Sequence, residues 1–537
     1  MRSAATVLIA MVFASRVLGL VRDRLLAARF FPDELGVYLA AFRMPNLLFE
    51  LLVMGALTSA FIPVYTKYIA KGKQDEAWHI SNTLINISVI ILLVITTPIL
   101  IWTKQVSELI APGFSPQQIE IMVQYTRFMI VFQVFPLLIG NFFTGILQSH
   151  NLFFVPALAP VVYNIGIIGG IIVFSASYGL WAPVFGVGIG ALLFMIIQIP
   201  TLLKLGYRQR LTIDVKNEGV REIGKLMLPR TAGLAVSQID TTVDLILSSL
   251  LGARMVTVFS FAQQLQQLPI GLFGATVAQA AFPLLSQASA TDDKEQYIKT
   301  MKSALNQIMF FIMPVSVLFI VLRIPIVRLV FGASRFDWQA TVLTGMTLSA
   351  FSMSLSAQAI SQLFTRGFFA LYDTITPMII GIITIAINTI LSIIFVQVLH
   401  LPVWSLGLST TIASFFNVGL LLVFLHKRMG NHILLDLLTT PAKIVIASLV
   451  TGVALYIPLK LFDQLIFDTT RTFGLFLLTG ASGLSGGLVY LFLVWMLGVT
   501  EAKSFIAMLT KFRQPKQIMI EPANEVIGNG SQNTPMT

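Results

Sequence analysis

HISNTLINISVIILLVITTPILIWT is the stretch at residues 79–103, and it contains no Asp, Glu, Lys or Arg. A helix rises about 1.5 Å per residue, so about 20 apolar residues are enough to cross the hydrocarbon core of a bilayer. Apolar runs of this kind recur along the whole chain. The sequence therefore predicts an all-α protein that crosses a membrane many times.

About fourteen transmembrane spans are predicted on this basis. Several contain Pro or Gly, such as Pro45 and Pro136, which we interpret as kinks because neighbouring helices can satisfy the freed backbone groups. The approximate limits of the spans are residues 4–28, 35–68, 79–103, 120–148, 153–175, 180–204, 222–250, 254–288, 300–322, 340–367, 374–397, 403–426, 439–461 and 473–498.

The composition excludes a large soluble protein. Hydrophobic residues make up 56% of the 537 residues and charged residues only 11%, against about 25% charged residues in soluble domains. The net charge of +11 does not indicate nucleic-acid binding, since no polar segment is long enough for such a domain. We assign the excess of Lys and Arg to cytoplasmic loops beside anionic lipid headgroups. Residues 1–20 resemble a signal peptide, but charges follow at once, and we interpret them as the first span.

The most charged connection runs from Lys204 to Lys225 and leaves six predicted spans before it and eight after it. We interpret it as a cytoplasmic linker between two helical lobes around a central cavity. Lys and Arg are more frequent in the even-numbered connections, which predicts that both termini are cytoplasmic. The predicted organisation is an N-terminal lobe at 1–205 (helices 1–6), a linker at 206–221, a C-terminal lobe at 222–427 (helices 7–12), helices 13 and 14 at 428–498, and a largely disordered cytoplasmic tail at 499–537.

Charged side chains cluster in the first two predicted spans, although each costs about 2.5–3.5 kcal/mol at the centre of a membrane helix. Arg16 and Asp23 are seven residues apart and share one face of the first helix, whereas Arg22 and Arg24 point in two other directions. Charges at such depth usually face a cavity or a partner. These four residues are therefore candidates for a functional site.

The second span adds Arg43, Asn46 and Glu50, whose spacings of three and four place them on one face. One interpretation is a hydrated cationic cavity for a phosphate-bearing substrate, because the planar guanidinium group binds phosphate through two hydrogen bonds. The other interpretation is that Arg16–Asp23 and Arg43–Glu50 are ion pairs that hold helices together. The excess of Arg over acidic residues favours the cavity.

A second polar group lies in the predicted C-terminal lobe. Asp240 and Asp244 are one helical turn apart, and Asn388 and Ser392 have the same spacing. These four residues could provide oxygen ligands for a monovalent cation, carry a proton, or form a hydrogen-bond network that packs the helices. In the eighth span, Gln264 is one of four closely spaced glutamines, which indicates a wet helix face.

No catalytic constellation is apparent in the sequence. The five histidines lack the spacing of metal ligands, and no Walker loop occurs. We therefore predict a protein that is not an enzyme and needs no organic cofactor. An exporter of cationic drugs should have an acidic cavity, so the Arg excess disfavours that class.

Three segments carry a family resemblance: SRVLGLVRD at 15–23, FRMPNLL at 42–48 and GALTSAFIPV at 55–64. They resemble the opening motifs of the MviN/MurJ lipid II flippases, which belong to the multidrug/oligosaccharidyl-lipid/polysaccharide exporter superfamily. Shorter matches at 228–230 and 237–239, and the number of spans, extend the likeness over nearly the whole chain.

The resemblance implies two lobes in an inverted V around a cationic cavity, with helices 13 and 14 forming a groove for a lipid tail. It implies that the protein carries lipid II, an undecaprenyl-pyrophosphate-linked disaccharide-pentapeptide, across the bacterial inner membrane by alternating access during peptidoglycan synthesis. Arg16, Arg22 and Asp23 match cavity positions of the family, and Asp244 and Asn388 match positions linked to sodium binding.

Four positions differ from the family pattern, which commonly has basic residues at Phe49, Glu50 and Gln264 and an acidic residue at Ser392. An exporter of another polyprenyl-linked glycan and a non-transporting scaffold for envelope assembly therefore remain as alternatives. The expected partners are lipid II and membrane lipids, with cell-wall synthesis proteins as candidates and no nucleic acid. The predicted substrate-binding residues are Arg16, Arg22, Asp23, Arg24, Arg43, Asn46, Glu50 and Gln264, and the predicted residues for coupling to Na⁺, protons or the membrane potential are Asp240, Asp244, Asn388 and Ser392.

Overall fold

The computed structural model describes residues 2–54, 60–332, 334–429, 433–465, 472–503 and 505. These residues form helices and no strand, so the predicted all-α class is confirmed. The α-helices are α1 (Arg2–Arg29), α2 (Pro32–Ala41), α3 (Arg43–Phe49), α4 (Ile62–Ala70), α5 (Gln74–Ile101), α6 (Thr103–Ile110), α7 (Pro116–Met129), α8 (Phe135–Ser149), α9 (Phe154–Tyr178), α10 (Trp181–Ile196), α11 (Ile199–Lys204), α12 (Glu218–Leu250), α13 (Ala253–Pro269), α14 (Thr276–Ala290), α15 (Lys294–Val321), α16 (Arg323–Val330), α17 (Trp338–Ser352), α18 (Leu355–Ala370), α19 (Ile375–Ile393), α20 (Trp404–Met429), α21 (Ile433–Leu465) and α22 (Thr472–Met496).

Several of these helices continue into one another through π-helical segments, in which the backbone hydrogen bonds span five residues. One such segment joins α7 to α8 into a single span, and another joins α13 to α14. Segments of this type are frequent at functional sites. The four that the structure describes are Glu50–Met54, Ile130–Val134, Ile270–Ala275 and Ile394–Val398.

The described helices confirm a protein with many membrane spans. Eleven stretches are long and apolar enough to cross a bilayer, or twelve when α17 and α18, which are bent by 42°, are taken as one span. Two further helices, α1 and α12, have 28 and 33 residues, so their length is also sufficient. With these two the total reaches the predicted number, which is approximate. Both carry the charged residues on which the candidate site depends.

Of the three largest clusters of the hydrophobic core among the described residues, one lies mainly in each half of the chain and the third joins the halves. In the joining cluster, Leu26 and Leu35 from the N-terminal half pack with Phe259 and Phe351 from the C-terminal half. Gly36 lies so close to Ala253 that an added side chain would collide with its backbone carbonyl. The backbones of the two halves are therefore in direct contact at Gly36 and Ala253. We call the region around this contact, where Leu26, Leu35, Phe259 and Phe351 also pack, the seam.

Polar contacts reinforce the seam. The Arg254 guanidinium donates to the Asp33 carboxylate at 3.0 Å and to the Asp337 carboxylate at 2.8 Å, so it joins the start of α13 to the starts of α2 and α17. Arg24 of α1 donates to the backbone carbonyl of Leu329 in α16. Both carboxylates that pair with Arg254 are partly exposed to solvent, so each ion pair contributes at most about 1 kcal/mol.

The connection before α12 is extended and attached along α5. Asn86 donates to the backbone carbonyls of Arg210 at 2.8 Å and Thr212 at 2.9 Å. A hydrogen bond with His79 lowers the pKa of Asp214. This segment coincides with the predicted linker at 206–221. The division into two lobes, a linker and helices 13 and 14 stays a prediction, and most of the predicted tail, residues 506–537, lies outside the described residues.

Candidate functional site

Two adjoining chambers lie between the halves, bordered by α1, α3, α8 and α9 on one side and α12 on the other. The first chamber, of about 410 Å³, is lined by Arg22, Asp23 and Arg43. The second chamber, of about 770 Å³, is lined by Arg16, Arg43 and Glu50. Asn46, like Arg43, borders both chambers. The predicted cluster therefore forms a shared cavity in which three guanidinium groups face two carboxylates.

Arg22 is held in place at the wall of the first chamber. Its Nε lies 2.9 Å from Oδ1 of Asp23, and its Nη1 donates to Oδ1 of Asn164 in α9 at 3.3 Å. The other carboxylate oxygen of Asp23 accepts a hydrogen bond from Gln264 of α13. Asp23 is therefore a positioning group that links α1 to the C-terminal half through Gln264.

Arg43 joins the two halves across the boundary between the chambers. Its Nε and Nη2 donate to Oγ1 of Thr242 at 3.0 and 2.7 Å, and Nη2 also donates to the backbone carbonyl of Gln238 at 2.6 Å. These acceptors are uncharged, so the positive charge of Arg43 is not neutralised by a salt bridge among the described residues. The ion pairs Arg16–Asp23 and Arg43–Glu50, which the sequence left open, do not form within that part of the chain.

Two predicted site residues do not line the chambers. Arg24 lies at the seam, where it binds Leu329, because its position on α1 turns it away from Arg16 and Arg22. Gln264 acts on the cavity only through Asp23, while its neighbour Gln263 lines the first chamber. Consecutive residues of a helix point about 100° apart, so a run of glutamines cannot form one wet face.

Sequence reasoning missed a row of mostly polar residues along the second chamber. Gln133 of the π-helical segment before α8 and Leu137, Asn141, Thr144 and Gln148 of α8 all line it, and we call these five residues, of which all but Leu137 are polar, the α8 stripe. Their spacings of four, four, three and four place them on one helix face. This periodic occurrence of polar residues within an apolar span was the signal that could have revealed them.

A third, smaller chamber lies within the C-terminal half and is separate from the cationic cavity. It has a volume of about 270 Å³ and is lined by polar side chains of α12, α18, α19 and α20. Asn388 donates to Oδ1 of Asp240 at 3.0 Å, Ser361 donates to Asn417 at 2.6 Å, and Asn417 donates to Thr384 at 2.8 Å. We call this the polar chamber.

The structure places the predicted coupling residues in different surroundings. Asp240 and Asn388 line the polar chamber, whereas Ser392 forms a 2.5 Å hydrogen bond with Ser409 away from it. Asp244 is 4% exposed, and its Oδ1 has no partner among the described residues, like Oδ1 of Asn388. No group of three or more His, Cys, Asp or Glu side chains that could hold a metal ion occurs among the described residues. The oxygens of Asp240, Asp244 and Asn388 are nevertheless suitable ligands for a hard monovalent cation.

Comparison with known proteins identifies the family. A family model described as lipid II flippase MurJ matches residues 26–477. The chain belongs to the lipid II flippase MurJ family. Among curated MurJ relatives, the probable lipid II flippase of Bdellovibrio bacteriovorus is 27% identical over 468 residues, covering 85% of this chain and 87% of the relative. The lipid II flippase of Burkholderia cenocepacia is 25% identical over 425 residues, covering 77% and 81%.

Solved structures agree with the MurJ assignment. A MurJ structure in an inward closed conformation matches with a TM-score of 0.76 and 27% identity, covering 91% of this chain and 98% of that one. An inward-facing multidrug resistance MATE family transporter of the MOP superfamily shares the fold, with a TM-score of 0.62 and 17% identity over 80% and 95% of the two chains. The protein is therefore a transporter of the bacterial inner membrane, and its function is that of the MurJ family, the flipping of lipid II.

Proposed function

We propose that this flippase holds the pyrophosphate of lipid II with Arg16, Arg22 and Arg43 and moves it from the inner to the outer leaflet by alternating access. The observation that carries the proposal is the lining of two connected chambers by three guanidinium groups that come from two different helices. A pyrophosphate offers several oxygens to the planar guanidinium groups. Two halves that rock about a central site are a common solution in transporters of this kind.

The orientation of the chain supports an inward-facing state. With both termini in the cytoplasm, as the distribution of Lys and Arg predicts, the connections that carry Asp33, Arg254 and Asp337 lie on the outer side. The seam then closes the outer end of the cavity. The second chamber, which Gln148 and Pro156 border, lies towards the cytoplasm, from which lipid II is loaded.

Each remaining part of lipid II can be assigned to a region of the protein in this orientation. The pyrophosphate and the sugars occupy the cavity, while the undecaprenyl chain stays in the bilayer, along the predicted groove of α21 and α22. These two helices expose large apolar side chains such as Leu449, Val453 and Leu484. An exposed apolar surface in a membrane helix is stable because it contacts lipid.

We also propose that ion binding at Asp240, Asp244 and Asn388 drives the return of the empty carrier. The unpartnered oxygens of Asp244 and Asn388 support a cation or a proton at this place. Ser392, which hydrogen-bonds to Ser409, takes no part in the proposed site. The membrane potential supplies about 2.3 kcal/mol for each net charge moved across 100 mV. Cell-wall synthesis proteins stay candidate partners.

Complementation of a bacterium depleted of its own lipid II flippase tests the proposed function. We expect the unmodified protein to restore growth and Arg22→Ala to fail, because loss of charge-assisted hydrogen bonds worth about 1.5–3 kcal/mol weakens pyrophosphate binding about 10- to 150-fold. Arg29→Ala is the matched control, since Arg29 is an exposed residue of the same helix that lines neither chamber.

The levels of each protein in the membrane must be equal for this comparison. Growth with Arg22→Ala at full rate would contradict the proposed role of Arg22. If the unmodified protein fails to restore growth, binding of purified lipid II to the purified protein decides between an unsuitable host and a different lipid-linked glycan.

A further inference from the structure

The α8 stripe presents uncharged polar groups to the second chamber over a considerable depth. Its first and last members, Gln133 and Gln148, are 15 residues apart, which corresponds to about 22 Å along a helix. In the orientation proposed above, Gln133 lies near the middle of the membrane and Gln148 near the cytoplasmic end. The stripe therefore extends along the path by which the polar part of a substrate enters.

Most of these groups are not used to pack helices together. Gln133 is 3% exposed, and its Oε1 has no hydrogen-bond partner among the described residues. The side chain of Gln148 makes no hydrogen bond within the same part of the chain, and Asn141 donates only to the carbonyl of Leu137 in its own helix. Only Thr144 reaches another segment, by donating to Oε1 of Gln198 at 2.9 Å.

Gln198, in the same region, is an example of a glutamine whose side chain is used to pack helices. Its Nε2 donates to the carbonyls of Gly140 and Phe194, and its Oε1 accepts from Thr144, so both ends of the amide are satisfied. A buried amide without a partner costs about 1–3 kcal/mol. Gln133 borders the chamber, and its buried Oε1 has no partner among the described residues, so this amide, unlike that of Gln198, is not used to pack the helices.

The chemistry of the stripe differs from that of the arginines that line the same chamber. Arg16 on α1 and Arg43 on α3 offer positive charge, which suits phosphate. Amide and hydroxyl side chains offer donors and acceptors without charge, which suits sugar hydroxyls and amide groups. The second chamber thus has a cationic side and a neutral polar side, and its volume of about 770 Å³ is within the usual range for ligand sites.

We propose that the α8 stripe binds the hydroxyl and amide groups of the disaccharide-pentapeptide, and so distinguishes a loaded polyprenyl pyrophosphate from one without its head group. This inference rests on the proposed function, because it assumes that the pyrophosphate is held by the arginines of the cavity. Gln133, Asn141 and Gln148 are the specificity-determining residues. They increase affinity for lipid II and have no effect on affinity for undecaprenyl pyrophosphate.

The test measures the binding of two ligands, lipid II and undecaprenyl pyrophosphate, to purified full-length protein in lipid nanodiscs. The variant combines Gln133→Met, Asn141→Leu and Gln148→Met, which keep side-chain volume and remove hydrogen-bonding groups. We expect it to bind lipid II at least about tenfold more weakly than the unmodified protein does, with unchanged binding of undecaprenyl pyrophosphate. Arg22→Ala should weaken the binding of both ligands.

Gln124→Met is the matched control, because Gln124 is an exposed residue of α7 that lines neither chamber. If the triple variant binds both ligands more weakly by the same factor, or binds both as the unmodified protein does, the inference is overturned. Equal affinities of the unmodified protein for the two ligands would overturn it too and leave the pyrophosphate site standing. Binding of neither ligand would contradict the proposed function itself. If the triple variant does not fold, the single variant Gln148→Met, at the chamber mouth, gives the same comparison with a smaller expected difference.

Discussion

The α8 stripe and the polar chamber are both rich in uncharged polar side chains, but they use them differently. In the polar chamber, hydrogen bonds run between helices: from α18 to α20, from α20 to α19 and from α19 to α12. On the α8 stripe, Asn141 bonds within its own helix, and Gln133 has an unpaired oxygen. Polar groups of similar chemistry thus bond helices to one another around one chamber, whereas along the other chamber most of them make no bond between helices.

This difference separates structural from functional polar residues in a membrane protein. Interhelical hydrogen bonds stabilise the packing of helices where no hydrophobic driving force exists between them. Groups that do not contribute to packing, and that line a chamber, are available to a substrate. In the C-terminal half, Asp244 and Asn388 each have a buried oxygen without a partner among the described residues, and we place the coupling ion there because these oxygens belong to an acidic and an amide side chain.

The largest effect is expected from Arg43→Ala, which changes both chambers at once. It removes a positive charge that borders both chambers and three hydrogen bonds to α12, so lipid II binding should fall about 100-fold. Lipid II binding in nanodiscs measures the change. Arg43→Lys is the control, which keeps the charge but not the planar fork and should give an intermediate loss. Binding that is unchanged in Arg43→Ala would show that the boundary between the chambers does not hold the pyrophosphate.

A smaller effect, on coupling alone, is expected from Asp240→Asn. The new amide oxygen can still accept the hydrogen bond from Asn388, so packing is kept while the negative charge is lost. The stimulation of lipid II transport by an ion gradient in proteoliposomes should fall about tenfold, which corresponds to a coupling free energy of about 1.4 kcal/mol. Binding of lipid II without a gradient should not change.

Asp214→Asn is the control for this prediction, because Asp214 lies in the connection before α12. Gradients of Na⁺ and of protons are applied separately, so that the coupling ion is identified by the gradient whose effect disappears. Transport by Asp240→Asn that responds to both gradients as the unmodified protein does would contradict a coupling role for the polar chamber.

The smallest effects are expected from Ser361→Ala and Asn141→Leu, which compare the two regions directly. Ser361→Ala removes an interhelical hydrogen bond and should lower the free energy of unfolding by about 1 kcal/mol without changing lipid II binding. Asn141→Leu removes no interhelical bond, so it should leave the apparent Tm unchanged and weaken lipid II binding. Thermal unfolding and lipid II binding are measured for both proteins. If Ser361→Ala instead weakened lipid II binding and Asn141→Leu instead lowered the apparent Tm, the distinction between the two regions would be lost.

Much of the fold could be predicted from the sequence, because apolar runs of the required length are a direct consequence of the bilayer as solvent. The all-α class and most of the span limits follow from them; for example, the predicted span 120–148 lies within the single span Pro116–Ser149. The charges of α1 and α3 also predicted a cavity, since charged residues at that depth need water or a partner, and Arg16, Arg22 and Arg43 line the two chambers.

The tertiary structure decided which of those charges share a cavity. Rotation about each helix axis and the crossing of the helices are set by packing, so the sequence could not tell that Arg24 turns to the seam while Arg22 faces the first chamber. It also could not show that Gln264 binds Asp23, a contact between residues 241 positions apart. The amino-acid sequence by itself determined a membrane protein with arginines in its first spans. Long-range packing of the two halves, which depends on contacts far apart in the chain, decided which of these arginines line a cavity.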